Sequence, residues 1–290
     1  MVTPYYQDDH VTLHHGDALD VARTLPAESV DCIVTSPPYF GLRDYGSDGQ
    51  YGLEESPVAY VETMRALFLE LRRTLANDGT LWLNIGDSYG KNKSLRGIPW
   101  RVAFALEADG WILRNSVIWA KQNGLPVNVK DRFHSRHETV FMFAKSPRYW
   151  FNLDAVRVPH SEASLKRYSS GLNKQSHPTA QRNVSDGNEI AAGFVPSKGV
   201  NPGDVWSIPA KPFKEAHFAV MPPEIARRAI IAGCKTSGTV LDPFSGSGTT
   251  GMVARDEGRK YVGIDISADY LGLSLKTRLG NDTLELGEIA

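Results

Sequence analysis

Thr239-Val240-Leu241-Asp242-Pro243-Phe244-Ser245-Gly246-Ser247-Gly248-Thr249-Thr250-Gly251 reads as a buried strand, a glycine-rich turn and the first turn of a helix that continues through Met252, Val253 and Ala254. A second apolar run, Tyr261-Val262-Gly263-Ile264, ends in Asp265. Glycines at a strand-to-helix turn let a ligand approach the backbone, and an acid at the tip of the next strand can accept hydrogen bonds from ribose hydroxyls. This is nucleotide-binding architecture. The run from Gly246 to Gly251 also fits the dinucleotide fingerprint letter for letter, which raises a nicotinamide-dependent enzyme. Its position argues against that: fewer than forty residues follow Gly251, whereas a dinucleotide fold needs several strands downstream of its fingerprint. No lysine follows Gly248 in the Walker pattern, so a phosphate cradle is not expected either. The sheet must be completed by chain that came earlier.

The earlier chain offers Cys32-Ile33-Val34, a second buried strand, followed by Thr35-Ser36-Pro37-Pro38-Tyr39. Each proline fixes its own φ and restricts its predecessor, so the two form a rigid rim. They remove two backbone donors and leave carbonyl acceptors, while Tyr39 supplies a stacking face. Such a rim suits a planar ring bearing an amino group, such as adenine or cytosine. Val11-Thr12-Leu13-His14 reads as a further strand with its turn at His15-Gly16-Asp17, and a helix follows from about Ala18 to Leu25. If the N-terminal strand continues the sheet where the C-terminal one stops, Asp17 lines the same crevice as Asp265.

The intervening chain alternates helix and strand. Gly41 to Tyr51 reads as a loop beyond the pocket. Ser56-Pro57 opens a helix with the stripe Val58, Val61, Met64, Leu67, Leu71 and Leu75, ended by Asp78-Gly79. Strands are predicted at Thr80 to Ile85, Leu113 to Ala120, Val140 to Ala144 and Trp150-Phe151, with a helix from Trp100 to Ala108. From about Pro159 to Asp204 the composition turns to Ser, Asn, Gly, Pro, Gln and His, with Lys166, Arg167, Tyr168, Lys174, Arg182 and Lys198 interspersed. Val205-Trp206-Ser207-Ile208 restores an apolar pattern, and Pro222-Pro223 opens a helix through Ile225, Ala229, Ile230 and Cys234. This order argues for an α/β sheet flanked by helices.

The net charge of -1 announces no polyanionic partner, but the charge is unevenly placed. Residues 1 to 90 hold fourteen acids against five Lys or Arg, and residues 91 to 136 hold nine Lys or Arg against three acids. That polarity can set a basic face against phosphates. Two cysteines, no signal-like run and no membrane-length apolar run lead us to expect a soluble, intracellular, cytoplasmic protein without disulfides. Cys32 and Cys234 both sit in apolar elements, where packing is the better reading. His134-Ser135-Arg136-His137 supplies two ligand types and no clear third, so no metal is expected.

With both motifs in place, the whole chain resembles the β-class amino-methyltransferases of DNA, which use S-adenosylmethionine and carry their motifs in permuted order. The resemblance implies a circularly permuted, Rossmann-like methyltransferase sheet with helices on both faces. Residues 1–150 would form its catalytic half, 151–213 a loop-rich target-recognition region, and 214–290 the S-adenosylmethionine half of the same domain. It implies that Phe244, Gly246, Gly248, Thr249 and Thr250, with Thr35 and Asp242, surround the cofactor. Asp265 would hold the ribose hydroxyls and Asp17 the adenine amine. His217-Phe218-Ala219-Val220-Met221-Pro222 is similar to the family's segment beside the methionine part, which places Phe218 there.

On the catalytic side, the amine of a flipped base would donate to Ser36 and to the Pro37 carbonyl, with Pro38 and Tyr39 completing the grip. Those hydrogen bonds favour the pyramidal, nucleophilic amine over the form whose lone pair is delocalised into the ring. Ring-carbon methylation is not expected, because Cys32 and Cys234 follow Asp31 and Gly233 rather than proline. Within the family, serine before Pro-Pro-Tyr is similar to the cytosine N4 subgroup and aspartate to the adenine N6 subgroup. Cytosine N4 is therefore the expected target and adenine N6 the alternative. A nucleic-acid-binding protein that keeps this fold without turnover is the rival of a different class. The expected partner is double-stranded DNA, with base readout by residues 159 to 204 and phosphate contacts by 91 to 136. The resemblance also admits a homodimer and a cognate restriction endonuclease.

Overall fold

The computed structural model describes residues 3–124, 128–169, 199–210 and 220–280. Its compact units are residues 1–152 together with 204–290, and residues 153–203.

The first unit is built on one sheet. In chain order its strands are β1 (Tyr6–Gln7), β2 (Val11–His15), β3 (Val30–Thr35), β4 (Leu75–Ile85), β5 (Ile112–Ala120), β6 (His137–Ala144), β7 (Val205–Ser207), β8 (Thr239–Asp242) and β9 (Lys260–Asp265). Their spatial order is β1-β2-β9-β8-β3-β4-β6-β5-β7. The last two strands of the chain thus sit between its early ones. β9 runs parallel to β2 with His15 opposite Asp265, and β8 runs parallel to β3 with Cys32 opposite Val240. The N-terminal strand continues the sheet where the C-terminal strands end, as the position of the glycine-rich turn requires.

Because β2, β9, β8, β3 and β4 are parallel, their carboxyl ends lie along one edge of the sheet, the edge where open α/β sheets bind ligands. β6 runs antiparallel to β4 and β5 antiparallel to β6. Pairing of Ile85 with Thr139 and of Ala120 with His137 therefore brings the start of β6 and the end of β5 to that same edge.

Helices cover the faces. α1 (Ala18–Thr24) and α2 (Pro57–Thr74) pack with α3 (Ile98–Ala108), and their apolar residues join Ile33, Leu81, Leu83, Phe141 and Phe143 in one core. Ser56 caps α2, its hydroxyl accepting from the Ala59 N–H at 3.1 Å. The buried stripe of α2 is Tyr60, Met64, Leu67, Phe68 and Leu71, not one that begins at Val58. Val58 is 64% exposed, because two residues of helix carry it about 200° away from Tyr60. α6 (Pro223–Gly233) packs on α7 (Thr249–Asp256), and α6 also touches β3 and β4. The predicted strand at Trp150-Phe151 does not form. Phe151 instead stacks on Trp82, ring centroids 6.5 Å apart, so the aromatic pair that suggested a strand is used to cover a tryptophan. α8 (Ala268–Ser274) and a wide turn at Leu275–Leu279 follow β9.

The second unit holds α4 (Leu153–Val156) and α5 (Glu162–Ser169), with Val158 bridged to Val200 and Arg157 donating to the Gly199 carbonyl at 3.1 Å. Lys174, Arg182 and Lys198 lie outside the described residues. Among the described residues, no helix is long and apolar enough to cross a membrane.

Candidate active site

The carboxyl edge of the sheet opens into a cavity of about 1240 Å³ whose walls include Ser36, Pro37, Pro38 and Tyr39 together with Asp17, Phe244, Gly246 and Asp265. Segments more than two hundred residues apart in sequence thus face one space.

On the first wall, Pro37 and Pro38 leave β3 as a rim. The Tyr60 hydroxyl donates to the Pro38 carbonyl at 2.9 Å, which ties the rim to α2. The Tyr39 ring crosses directly over Gly86. A Cβ at Gly86 would lie 2.6 Å from the ring, so only glycine at the exit of β4 allows the approach. The Tyr39 hydroxyl donates to Glu138 Oε2 at 2.6 Å. Asn84 Nδ2 reaches the same Tyr39 oxygen at 2.9 Å, Glu138 Oε2 at 3.0 Å and Ser36 Oγ at 3.3 Å. Lys121 pairs with Glu138 Oε1 from the far side. Burial, and after it the Glu138 carboxylate, hold the Tyr39 phenol well above its ordinary pKa, so it stays protonated and donates.

Asn84, Lys121 and Glu138 were not among the residues expected from the sequence. Each is a polar position at or beside the end of an apolar strand. What joins them is the antiparallel pairing of β4, β6 and β5, which spacing along the chain does not encode. A readable trace is Asn84 itself, a lone amide within Leu81 to Ile85.

On the second wall, Asp17 caps α1: its Oδ1 accepts from the Leu19 and Asp20 N–H groups at 2.9 and 3.0 Å. Asp17 also borders the cavity. Asp265 stands at the tip of β9, with Oδ2 accepting from the Gly246 N–H at 2.7 Å and Oδ1 from the Ser267 N–H at 2.8 Å. Burial raises its pKa above the ordinary carboxylate range. Phe244 meets Tyr51 edge-on at 5.1 Å, and Ile266 and Tyr270 complete an apolar flank.

The remaining predicted cofactor residues divide. Thr249 and Thr250 border the cavity, but their hydroxyls are engaged, Thr249 by Arg278 and Thr250 with Asp242 Oδ2 at 2.8 Å. Asp242 also borders it, yet the residue is 4% exposed and its carboxylate accepts from Thr35 Oγ1 at 2.7 Å and the Phe244 N–H at 3.0 Å. Burial pushes Asp242 up to about 6 against these hydrogen bonds. Two further residues of these motifs hold the backbone in shape. Thr35 is fully buried and is not part of the cavity wall; its hydroxyl is turned to Asp242, so it joins β3 to β8. Gly248 is also absent from the wall. It caps α7 at φ 77°, where a Cβ would come within 2.9 Å of Ser274, so packing and backbone conformation explain the glycine. Phe218 lies outside the described residues, while Val220 and Met221 just after it border the cavity.

The donor set fits a nucleoside cofactor. Asp17 and Asp265 each keep lone pairs for hydroxyl or amino donors, and Phe244 with its apolar neighbours offers a flat contact. Neither cysteine reaches this space: Cys32 is buried in β3 and Cys234 at the end of α6, and burial raises both thiols, Cys234 to about 12. Thiolate attack from this cavity is therefore not available. His134 and His137 border the cavity, and among the described residues no cluster of His, Cys, Asp or Glu is arranged for a metal. Arg132 and Lys121 bring positive charge to the same rim, Arg132 lying 3.8 Å over the Tyr89 ring.

Comparison with known proteins agrees with this geometry. Residues 30–276 match the model of a family described as DNA methylase, N6/N4 type. The type II methyltransferase M.Cfr9I of Citrobacter freundii is 39% identical over 300 residues, covering 94% of this chain and 89% of its own. The type II methyltransferase M.SmaI of Serratia marcescens is 37% identical over 287 residues, covering 89% and 87%. Among solved structures, the cytosine-N4-specific PvuII DNA methyltransferase superposes with a TM-score of 0.70 at 21% identity, covering 93% of this chain and 87% of that one. The M1.HpyAVI–SAM complex does so with 0.55 at 22% identity, covering 92% and 98%. The matched span holds both walls of the cavity apart from Asp17 and Ala18, and the chain belongs to the N6/N4 DNA methylase family, the amino-methyltransferases of DNA.

Proposed function

We propose that this type II DNA methyltransferase transfers a methyl group from S-adenosylmethionine to the N4 amine of a cytosine extruded from duplex DNA. The observation that carries the reading is the single cavity shared by Ser36, Tyr39, Phe244 and Asp265. The cofactor supplies an electrophilic methyl group. Asp265 accepts from its ribose hydroxyls, Asp17 from its adenine amine, and Phe244 packs on its flat face. Opposite, Tyr39 stacks on the extruded base, and Ser36 Oγ and the Pro37 carbonyl accept from its amine. Most of the rate comes from holding amine and methyl in line, and no covalent enzyme intermediate is required. The base leaves the stack first, since a cavity of this kind reaches no atom inside a duplex.

Serine at position 36 favours cytosine over adenine, as the neutral hydroxyl of the N4 subgroup does in the resemblance. Residues 151–213 read the target sequence, and the basic stretch 91–136 holds the backbone, so binding weakens steeply with salt. Digesting methylated DNA to nucleosides tests the target atom. N4-methylcytosine is the expected product, and N6-methyladenine alone would reverse the assignment.

A further inference from the structure

Glu138 is a carboxylate 13% exposed, at the start of β6, paired with Lys121 on one oxygen and with Tyr39 and Asn84 on the other. We propose that Glu138 is a positioning residue that fixes the direction of the hydrogen bonds running to Ser36, so that Ser36 Oγ meets the target amine as an acceptor. The inference deepens the amino-transfer reading and rests on it.

An ionised carboxylate can only accept, and a lysine can only donate. With Lys121 on Oε1, Oε2 faces the cluster. Tyr39 has one proton, and at 2.6 Å it is committed to Oε2. The Tyr39 oxygen is then free only to accept, from Asn84 Nδ2 at 2.9 Å and from Ser36 Oγ at 3.3 Å. Asn84 is fixed in the same way: turned over, its Oδ1 would face a carboxylate oxygen at 3.0 Å. Asn84 has two N–H groups for three acceptors: one goes to Glu138 Oε2 and the other is shared between the Tyr39 oxygen and Ser36 Oγ, while Ser36 gives its own proton toward Tyr39, which leaves an oxygen lone pair for a donor entering the cavity. An exocyclic amine is such a donor. Every arrow in the chain Ser36 to Tyr39 to Glu138 points away from the substrate because an anion stands at its end.

Glu138→Gln reverses the chain without changing its shape. Lys121 still requires an acceptor, so the glutamine places Oε1 on Lys121 and its NH₂ toward Tyr39. Asn84, whose Nδ2 would face that NH₂, turns its Oδ1 to it; Tyr39, left without the carboxylate, directs its proton to Ser36, and Ser36 presents its own to the amine. Donor would face donor. Lys121→Met added to this variant frees the glutamine to turn over, put its oxygen on Tyr39 and restore the original direction.

The experiment measures single-turnover methyl transfer and cofactor Kd for wild type, Glu138→Gln, Lys121→Met and Lys121→Met/Glu138→Gln. We expect Glu138→Gln to slow transfer about 100-fold with cofactor Kd unchanged, as removal of one oriented catalytic dipole does. The double variant should recover about tenfold of that loss, and Lys121→Met alone should lose less than Glu138→Gln. A merely structural carboxylate gives no such rescue. Equal rates for Glu138→Gln and the double variant, or loss of cofactor binding in Glu138→Gln, would overturn the proposal while wild type still methylates an amine. A wild-type chain that methylates no DNA amine overturns the functional reading, and this inference with it.

Discussion

The two walls of the cavity are held in different ways. On the wall proposed for the cofactor, the side chains are held by nearby backbone: Asp17 by the first turn of its own helix, Asp265 by N–H groups of the glycine-rich turn and of Ser267. On the wall proposed for the base, the holding groups come from three other strands, with Tyr39 fixed by Glu138 across 99 residues and Glu138 by Asn84 across 54. A wall held by local backbone tolerates loss of one side chain with a local cost. A wall held by a chain of side-chain hydrogen bonds loses the direction of the whole chain when one member changes.

Several substitutions can break or sharpen that contrast. The largest effect is expected for Tyr39→Ala, which removes both the stacking face and the link from Ser36 to Glu138. Methyl transfer should fall by at least about 100-fold with cofactor binding retained, because misplacement of about an ångström is enough for that loss. Equal loss of cofactor affinity in an equilibrium titration would show that the walls are not separable.

Asp265→Ala should do the reverse. Cofactor Kd rises roughly 30-fold, about 2 kcal/mol for hydrogen bonds to a charged group, while the rate at saturating cofactor stays near wild type. Hydroxyl donors favour the ionised carboxylate, whose pKa burial has raised, so wild-type affinity should climb with pH beyond the usual range near 3.8. A flat pH profile of Kd would contradict this.

The seam between the walls is Asp242, which takes the Thr35 hydroxyl from β3 and the Thr250 hydroxyl from α7. Its folded-state pKa, about 6, lies above the unfolded value near 3.8. The stability it contributes is therefore fully present below the unfolded value and is lost as pH rises through the folded one. Denaturant unfolding of wild type and Asp242→Asn should diverge on the order of 2 kcal/mol between pH 4 and pH 8, the wild type losing ground as pH rises. Parallel curves would remove Asp242 from this role. Smallest is Gly248→Ala, expected to cost about 1 kcal/mol from its left-handed backbone, more if Ser274 cannot give way, with little change in cofactor affinity at a site outside the wall. A large affinity loss in a stably folded variant would return Gly248 to the cofactor site.

The same contrast explains what could be read in advance. The strand, glycine turn, helix and acid of 239–265 lie within 27 consecutive residues, and the closing of the sheet followed from how little chain remained after them. That Asp17 and Asp265 border the cavity follows from the sequence because each ends a strand next to its own turn. The placement of Glu138 and Lys121 does not, because only the antiparallel run of β4, β6 and β5 brings them to Tyr39. Not every motif residue faces the cavity. Thr35 and Gly248 belong to motifs that surround a cavity, but a motif also contains the residues that hold its own backbone in shape, and spacing does not tell the two apart. Trp150-Phe151 failed for a related reason: aromatic residues favour strands only as far as they favour half-buried surfaces, and Trp82 offered one.

The central claim is that one cavity presents the methyl donor and the target amine to each other, and a crystal structure of the chain with an unreactive donor analogue and its target duplex tests it most directly. The account predicts an extruded base stacked on Tyr39, its exocyclic nitrogen bonded to Ser36 and about 3 to 3.5 Å from the position of the transferable group, with Asp265 on the ribose. A base left stacked in a cleaved or intact duplex with the analogue bound beside Asp265, or an analogue bound away from Phe244, would contradict it.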